Sequence, residues 1–441
     1  MLKNRPIPSE IVDKILINSG ISKIETASIR EIKKLINEIE KATEKEFIRM
    51  EMGIPGLPAC QIGVEAQIDA LKSGVASLYP DIEGIPELKA EMVRFVKNYI
   101  DLDVSQESCI PTVGSMMGGI AVFMTFVRTH KEKDTSLFID PGFPVQKQQH
   151  KVLGLKYETF DVYNYRQDKL KEKLESYLSK GNIHTIIYSN PNNPSWICFT
   201  EKELQIIGEL ANKYNTIVLE DLAYFGMDFR NDISKPGQPP YQPSVGKYTD
   251  NFALLISSSK AFSYAGERIG MLVLSDKLYH SQYPDLVPYF GTPLLGRAIV
   301  FGTVYAISSG TSHSAQYALT TILKACNEGR YNYRDDVLKY GERAKKMKKM
   351  FTDNNFLIVY DKDDDKTLAD GFYFTLSYPG MSGEQLLKEL LYYGISAISL
   401  TITGSERTEG LRACVSLVRD EQLPELEERL TIFKINNPVG M

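Results

Sequence analysis

Reactive side chains stand a few residues after the ends of two short apolar, β-branched segments of the chain. Asp221 and Tyr224 follow the run TIVL, and Lys260 follows the run FALLI, eight residues before Arg268. A carboxylate can hold a heteroaromatic nitrogen protonated, and a lysine amine can form a Schiff base with a carbonyl compound. An arginine adds charge-assisted hydrogen bonds to a phosphate. These residue types therefore suit a ligand that combines a nitrogen ring, a carbonyl group and a phosphate.

Three further segments end in groups that complete such a site. Gly114, Ser115 and Met116 form a turn that opens an apolar helix, where free N–H groups and the helix dipole favour phosphate. Asn193 follows the run IHTIIY and offers an amide, and Phe143 follows the run SLFI and offers an aromatic ring. Each signal is weak alone, because a lone lysine or carboxylate is usually a solvated or capping residue. Their joint order along the chain predicts a site for pyridoxal 5′-phosphate (PLP), whose ring acts as an electron sink.

Strands that alternate with helices must bring these groups together. We expect strands at 136–139, 183–188, 216–219, 252–256 and 271–274. Helical patterns lie between them, and one follows Thr200, an N-cap with Glu203 as its capping-box partner. This alternation predicts an α/β fold with a mostly parallel sheet covered by helices on both faces. In such a sheet ligands bind outside the carboxyl ends of the strands, which is where the reactive side chains stand.

The pattern changes towards both ends of the chain. An amphipathic helical pattern at 27–48 precedes a Gly/Pro-rich break at 53–58. Further helices are expected at 63–73, at 86–100 and within 310–350, and the last part mixes strands at 371–377 and 411–417 with helices at 383–393 and 423–432. We therefore predict a large PLP-binding domain at 52–325 and a smaller α+β domain made of 1–51 and 326–441.

The composition and a few sequence patterns argue against several classes of protein. The chain has 441 residues, 43% of them hydrophobic, and a net charge of −5, which argues against a nucleic-acid binder. Its five cysteines are dispersed without CxxC spacing, which is typical of reduced thiols and indicates no metal site. The most apolar run, residues 118–127, is too short to cross a bilayer, and the N-terminus lacks the apolar core of a secretion signal. We expect a cytoplasmic protein without a membrane or nucleic-acid partner.

The stretch from Ser257 through Lys260 to Arg268-Ile269-Gly270 resembles the Ser-x-x-Lys signature of the fold-type I PLP-dependent aminotransferases, in the aspartate-aminotransferase-like class I/II family. The resemblance extends from about residue 53 to residue 417. It implies a large domain with a seven-stranded type of sheet. It also implies a homodimer with shared active sites, in which Tyr79 reaches the phosphate of the neighbouring subunit.

The resemblance also implies a role for each site residue. Lys260 would form the Schiff base, and Lys260, Asp221 and Tyr224 would be the catalytic residues. The cofactor would be held by the backbone of Gly114, Ser115 and Met116 and by Ser257 and Arg268 at its phosphate, by Asp221 at its ring nitrogen, by Asn193 and Tyr224 at its ring hydroxyl, and by stacking on Phe143. Arg412, together with Asn193, would bind the substrate, because guanidinium matches the geometry of a carboxylate.

The activity implied is transfer of the amino group of an L-amino acid to a 2-oxo acid, with the freed amine of Lys260 as general base. Two alternatives remain open: a PLP-dependent carbon–sulfur β-lyase or an enzyme like aminocyclopropane-carboxylate synthase, and, more remotely, a non-catalytic regulator module. Ser195-Trp196 stands where the family usually continues Thr-Gly. Trp196 either packs beneath the loop or forms a pocket wall. Arg297 is a candidate for a second arginine that selects dicarboxylates, and a surface position is the other interpretation.

Overall fold

The computed structural model describes residues 4–439. Its helices are α1 Ser9–Asn18, α2 Ile29–Thr43, α3 Gln61–Lys72, α4 Pro86–Ile100, α5 Gly114–Phe126, α6 Pro144–Leu153, α7 Asp168–Leu178, α8 Glu201–Lys213, α9 Ser258–Ala261, α10 Asp276–His280, α11 Val287–Phe290, α12 Leu295–Arg297, α13 Tyr305–Ser308, α14 His313–Asn327, α15 Tyr333–Asp353, α16 Gly383–Leu391 and α17 Leu423–Asn436. Its strands are β1 Ile48–Arg49, β2 Cys109–Thr112, β3 Thr135–Asp140, β4 Lys156–Asp161, β5 Ile183–Ser189, β6 Ile217–Leu222, β7 Phe252–Ser257, β8 Gly270–Leu274, β9 Leu357–Ile358, β10 Lys362–Asp363, β11 Lys366–Thr367, β12 Tyr373–Ser377, β13 Ile395–Ser396, β14 Ile398–Ser399 and β15 Leu411–Cys414. None of the helices in this part of the chain combines the length and the apolar character that a bilayer span requires.

The chain folds into two compact units. The large unit contains residues 57–192 and 198–337, and the small unit contains residues 1–56, 193–197 and 338–441. The boundary that the sequence places at 325/326 falls inside α14, a helix that packs against α3 and α4 within the large unit. The chain passes from the large unit to the small unit at 337/338, within α15.

A seven-stranded sheet forms the centre of the large unit, in the order β2-β8-β7-β6-β5-β3-β4. Strands β7, β6, β5, β3 and β4 run parallel to one another, and β8 is antiparallel to both β7 and β2. The sheet is flanked by helices, and six of its strands are buried along their whole length, which explains their continuous apolar runs. The α/β class and the mostly parallel sheet predicted from the sequence are confirmed.

The strand directions place the reactive side chains at one edge of the sheet. Because β8 is antiparallel to both of its neighbours, β2 points the same way as β7. Thr112 at the end of β2 and Ser257 at the end of β7 are both register partners of Gly270. At the end of β5, Ser189 is paired with Asp221 of β6. The segments that follow these strands therefore all begin at the same end of the strands, at one edge of the sheet.

Local sequence signals fix how the covering helices begin. Thr200 caps α8 by accepting a hydrogen bond from the Glu203 backbone N–H, and its own backbone N–H donates to the Glu203 carboxylate, so the predicted capping box is confirmed. Helix α4 spans the predicted residues 86–100 and has Pro86 in its first turn, where the missing N–H needs no partner within the helix. On the inner face of α5, Phe123 and Phe126 belong to the apolar core that covers the sheet.

The small unit contains a four-stranded antiparallel sheet in the order β14-β15-β12-β9, with α16 and α17. Helix α2 also belongs to it and buries the side chains of Ile32, Leu35, Ile36 and Ile39, which supply the predicted apolar stripe. The helix is shorter than the predicted span 27–48. It ends at Thr43 because Glu44 adopts a left-handed conformation, and residues 48–49 form β1, which pairs with β13.

Candidate active site

The turn between β2 and α5 is shaped for an anion. Gly114 has φ +65°, and a Cβ atom there would lie 2.5 Å from Nη2 of Arg268, so the guanidinium lies directly over the turn. A Cβ atom at Gly270 would lie 3.0 Å from the backbone nitrogen of Ser115. The first N–H groups of α5 and the Arg268 guanidinium thus converge where two glycines leave space. This combination is what a phosphate requires.

Lys260 lies in the one-turn helix α9 that follows β7. Ser257 caps this turn, and its Oγ accepts a hydrogen bond from the Ser259 backbone nitrogen at 3.1 Å. The Ser258 hydroxyl donates to the carbonyl oxygen of Ile269 at 2.6 Å. This bond ties the lysine turn to the segment that carries Arg268. Lys260 is half-buried in this frame, and the Ser257 hydroxyl keeps its own proton for donation to a ligand.

Asp221 lies buried at the end of β6. Its Oδ1 accepts a hydrogen bond from the Ala223 backbone nitrogen at 3.0 Å, and its Oδ2 accepts one from Nε2 of Gln146 at 2.8 Å. Burial raises the pKa of Asp221 to about 6, and the two hydrogen bonds and the positive charge of Lys260 act in the opposite direction. A cationic group of a ligand would therefore stabilise the ionised form of this buried carboxylate.

Gln146 is the site residue that the sequence did not single out. It lies in the first turns of α6, and the neighbouring Gln149 donates from Nε2 to the carbonyl oxygen of Met116 at 3.1 Å. Helix α6 thereby contacts both the Asp221 carboxylate and the anion-binding turn. The signal that could have identified Gln146 in the sequence was its position just after Phe143, in the helix that follows β3.

The other predicted residues of the large unit differ in exposure. Tyr224 is buried three residues after Asp221, and Phe143 is half-buried at the start of α6. Met116 is exposed beside the anion-binding turn, and Tyr79 is 93% exposed at the surface of the unit. Arg297 is also exposed, with its guanidinium 5.2 Å from the centre of the Phe301 ring, as its surface interpretation requires.

Arg412 and Asn193 meet within the small unit. Arg412 lies on β15 and is only 1% exposed. Its Nη1 donates to Oδ1 of Asn193 at 3.3 Å, and its Nη2 donates to the carbonyl oxygen of Glu51 at 2.7 Å. Both acceptors are neutral, and Nε is buried without a hydrogen-bond partner among residues 4–439. A buried guanidinium with such partners favours an anionic ligand.

Comparison with known proteins assigns the family. A model described as aminotransferase class I and II matches residues 45–430. The chain belongs to the class I and II aminotransferases. The family and the PLP cofactor predicted from the sequence are thereby confirmed.

Among curated proteins, the chain is similar to a probable aspartate aminotransferase of Methanocaldococcus jannaschii, with 26% identity over 60% of this chain and 64% of that protein. It is also similar to an aspartate aminotransferase of Pyrococcus horikoshii, with 25% identity over 72% of this chain and 76% of that protein. The match thus spans slightly less than two thirds of the first relative. An alanine aminotransferase structure from Pyrococcus furiosus shares the fold, with a TM-score of 0.75, 20% identity, and coverage of 95% of this chain and 99% of that one.

The residues of the large unit fit PLP. Arg268 and the backbone nitrogen of Ser115 lie close to Gly114 and Gly270, so a cation and the first N–H groups of α5 adjoin, as a phosphate needs. The buried Asp221 carboxylate, whose pKa burial raises, gains a favourable partner when a ring nitrogen carries a proton. Lys260 follows β7, the strand that pairs with the Asp221 strand β6, so its amine and the carboxylate leave neighbouring strands at the same edge.

Proposed function

We propose that the protein is a PLP-dependent aminotransferase that moves the amino group of an L-amino acid to a 2-oxo acid. One observation carries the proposal: the buried Asp221 carboxylate, fixed by Gln146 and Ala223, lies at the end of β6, next to β7 and the turn that carries Lys260. This arrangement suits a ring whose nitrogen must stay protonated and whose aldehyde must meet a lysine amine.

The roles proposed for the residues are those that the family resemblance implies. Gly114, Ser115, Met116, Ser257 and Arg268 bind the phosphate, Phe143 stacks on the ring, Asn193 and Tyr224 bond its hydroxyl, and Asp221 bonds its nitrogen. Arg412 binds the α-carboxylate of the substrate, supported by its deep burial among neutral oxygens and by its unpartnered Nε. Gln146 holds the Asp221 carboxylate in one orientation.

When bound, PLP supplies an electron sink for the charge left at Cα after proton removal. Lys260 provides the base: its amine takes the proton from Cα and delivers it again at the end of the transfer. Asp221 stabilises the positive charge on the ring nitrogen. Arg412 fixes the α-carboxylate, which limits the orientations of the Cα–H bond. Over one cycle the donor amino acid leaves as its 2-oxo acid, and the second 2-oxo acid leaves as an amino acid.

The test uses Lys260→Ala with Lys277→Ala as a matched control, because Lys277 is an exposed lysine of the same unit, 3.4 Å from Asp250. The purified proteins are compared for visible absorption and for turnover in a screen of the twenty amino acids against 2-oxoglutarate and pyruvate. We expect the Lys260 variant to lose both the absorption and the turnover, and the control to keep both. Full activity of Lys260→Ala would overturn the proposal.

The same preparation separates transfer from elimination. Incubation with cystathionine and no added oxo acid is expected to release no pyruvate or ammonia from an aminotransferase. Steady release of both products would replace the proposed transfer with β-elimination.

We also propose a cytoplasmic homodimer with shared active sites. Several large apolar residues are exposed on the large unit: Leu78, Tyr79, Met116, Tyr289, Phe301 and Tyr305. Such a set favours a protein interface, and Tyr79 is the residue that would reach the partner's phosphate. All five cysteines are buried, which suits reduced thiols and supports a reducing compartment. Light scattering should give twice the monomer mass, and a stable monomer with full activity would refute shared sites.

A further inference from the structure

Trp196 has a backbone conformation that a tryptophan rarely adopts. Its φ is +64°, in the left-handed region that disfavours a bulky side chain. The side chain is nevertheless fully buried in the small unit, with 0% exposure. Strain of this kind persists only where the surrounding structure imposes it, and it occurs preferentially at functional sites.

The indole of Trp196 lies against the main chain of Gly371. A Cβ atom at Gly371 would overlap the ring atoms Cε2, Cζ2 and Nε1, so only glycine leaves room for the tryptophan. The same indole meets the Tyr373 ring in a T-shaped contact, with 6.2 Å between centroids and 65° between planes. The strained residue is thus packed directly against β12.

Tyr373 in turn contacts the guanidinium of Arg412. The Cζ atom of Arg412 lies 4.6 Å from the centre of the tyrosine ring, within the range of a cation–π interaction. The strand register explains the contact, because Thr375 of β12 is paired with Arg412, and Tyr373 is the diagonal neighbour on the same face. The hydroxyl end of Tyr373 lies where Gly53 has no side chain, so the ring cannot swing away towards that segment.

The short segment 193–197 therefore approaches Arg412 by two routes. Asn193 bonds Nη1 directly at 3.3 Å, and Trp196 acts through the Tyr373 ring. We infer that Trp196 and Tyr373 are positioning residues for Arg412: the two rings hold its guanidinium in the orientation that receives the α-carboxylate of the substrate. This inference rests on the proposed function and deepens it, because it assigns a task to the aromatic residue that stands where related chains usually carry glycine.

The test compares four variants. Tyr373→Leu and Trp196→Gly remove a ring from the stack, Tyr373→Phe keeps the ring, and Phe433→Leu is the matched control, because Phe433 is a buried aromatic of the same unit that packs against Phe356 and Tyr378. For each variant we would measure kcat and KM for the amino acid and the oxo acid, PLP affinity by absorption titration, and the melting temperature.

Loss of either ring should raise KM for both carboxylate substrates by roughly tenfold, the size expected for a desolvated cation–π contact, with PLP affinity unchanged. Tyr373→Phe should stay within twofold of wild type, and Phe433→Leu should lower the melting temperature without changing KM. If Trp196→Gly does not fold, Tyr373→Leu against Tyr373→Phe still decides the question.

The inference is overturned if the wild type transaminates and Tyr373→Leu leaves KM within twofold. It is also overturned if Phe433→Leu raises KM as much as Tyr373→Leu does, since the effect would then be general loss of packing. A wild type that binds PLP but does not transaminate refutes the proposed function instead, so the two failures are distinguishable.

Discussion

Replacement of Arg412 by lysine tests the carboxylate-binding role in the most selective way. Lysine keeps the positive charge but has a single nitrogen, so it cannot present two parallel N–H groups to a carboxylate. It also cannot reproduce both the 3.3 Å bond to Asn193 and the 2.7 Å bond to the Glu51 carbonyl. Arg412→Lys therefore keeps the positive charge and removes the paired N–H donors.

The magnitude follows from the bonds that the substrate loses. A hydrogen bond to a charged group contributes about 1.5–3 kcal/mol. Loss of one such bond to the α-carboxylate, with 1.4 kcal/mol per factor of ten, predicts a fall in kcat/KM of roughly 10- to 150-fold. PLP affinity should change by less than about threefold, because no cofactor contact is assigned to Arg412.

The matched control is Arg429→Lys. Arg429 is also a buried arginine of the small unit, but its guanidinium donates to the carbonyl oxygens of Gly394 and Glu46 and pairs with Glu425. It should lose stability without a change in kcat/KM. The assay is steady-state kinetics with the preferred amino acid at saturating oxo acid, alongside thermal melting. Arg412→Lys with kcat/KM within threefold of wild type would refute the assignment.

Three further substitutions test other parts of the account. Gly114→Ala places a Cβ atom 2.5 Å from Nη2 of Arg268 at a φ of +65°, so PLP affinity measured by absorption titration should fall at least tenfold; unchanged affinity would contradict the phosphate site. Asp221→Asn removes the charge that holds the ring nitrogen protonated, so kcat should fall on the order of 100-fold while PLP remains bound, and near-wild-type kcat would contradict the pairing. Burial raises the pKa of Glu220 from 4.5 to about 7, so the folded state binds more protons than the unfolded state between these values, and stability falls as pH rises through that window. Glu220→Gln should remove this loss of stability, which amounts to up to about 3 kcal/mol. The melting temperature at pH 8, relative to that at pH 5, should therefore be higher in the variant than in the wild type; an unchanged pH profile would show that Glu220 does not contribute.

The placement of Asp221 and Lys260 could be predicted from the sequence because strand ends in a parallel sheet meet at one edge. A run of buried, β-branched residues marks each strand, and the first polar residues after it must lie at that edge. The capping box at Thr200 was equally readable, since it depends on two residues three positions apart.

Other features depend on contacts between distant segments, which no local pattern encodes. Gln146 reaches Asp221 only through the packing of α6 against the sheet edge. Trp196 is buried because Gly371, 175 residues later, leaves room for its ring. Segment 193–197 belongs to the small unit although its chain neighbours on both sides belong to the large unit. A division of the chain into a few long segments cannot include so short an insertion.

The central claim is that Lys260 is the residue to which PLP becomes attached. The direct measurement is reduction of the purified PLP-bound protein with sodium borohydride, followed by proteolysis and mass spectrometry of the lysine-containing peptides. We predict that the reduced cofactor is found on the peptide that contains Lys260 and on no other lysine of the chain. A cofactor recovered on a different lysine, or a wild-type protein that binds PLP without a reducible bond to Lys260, would contradict the account.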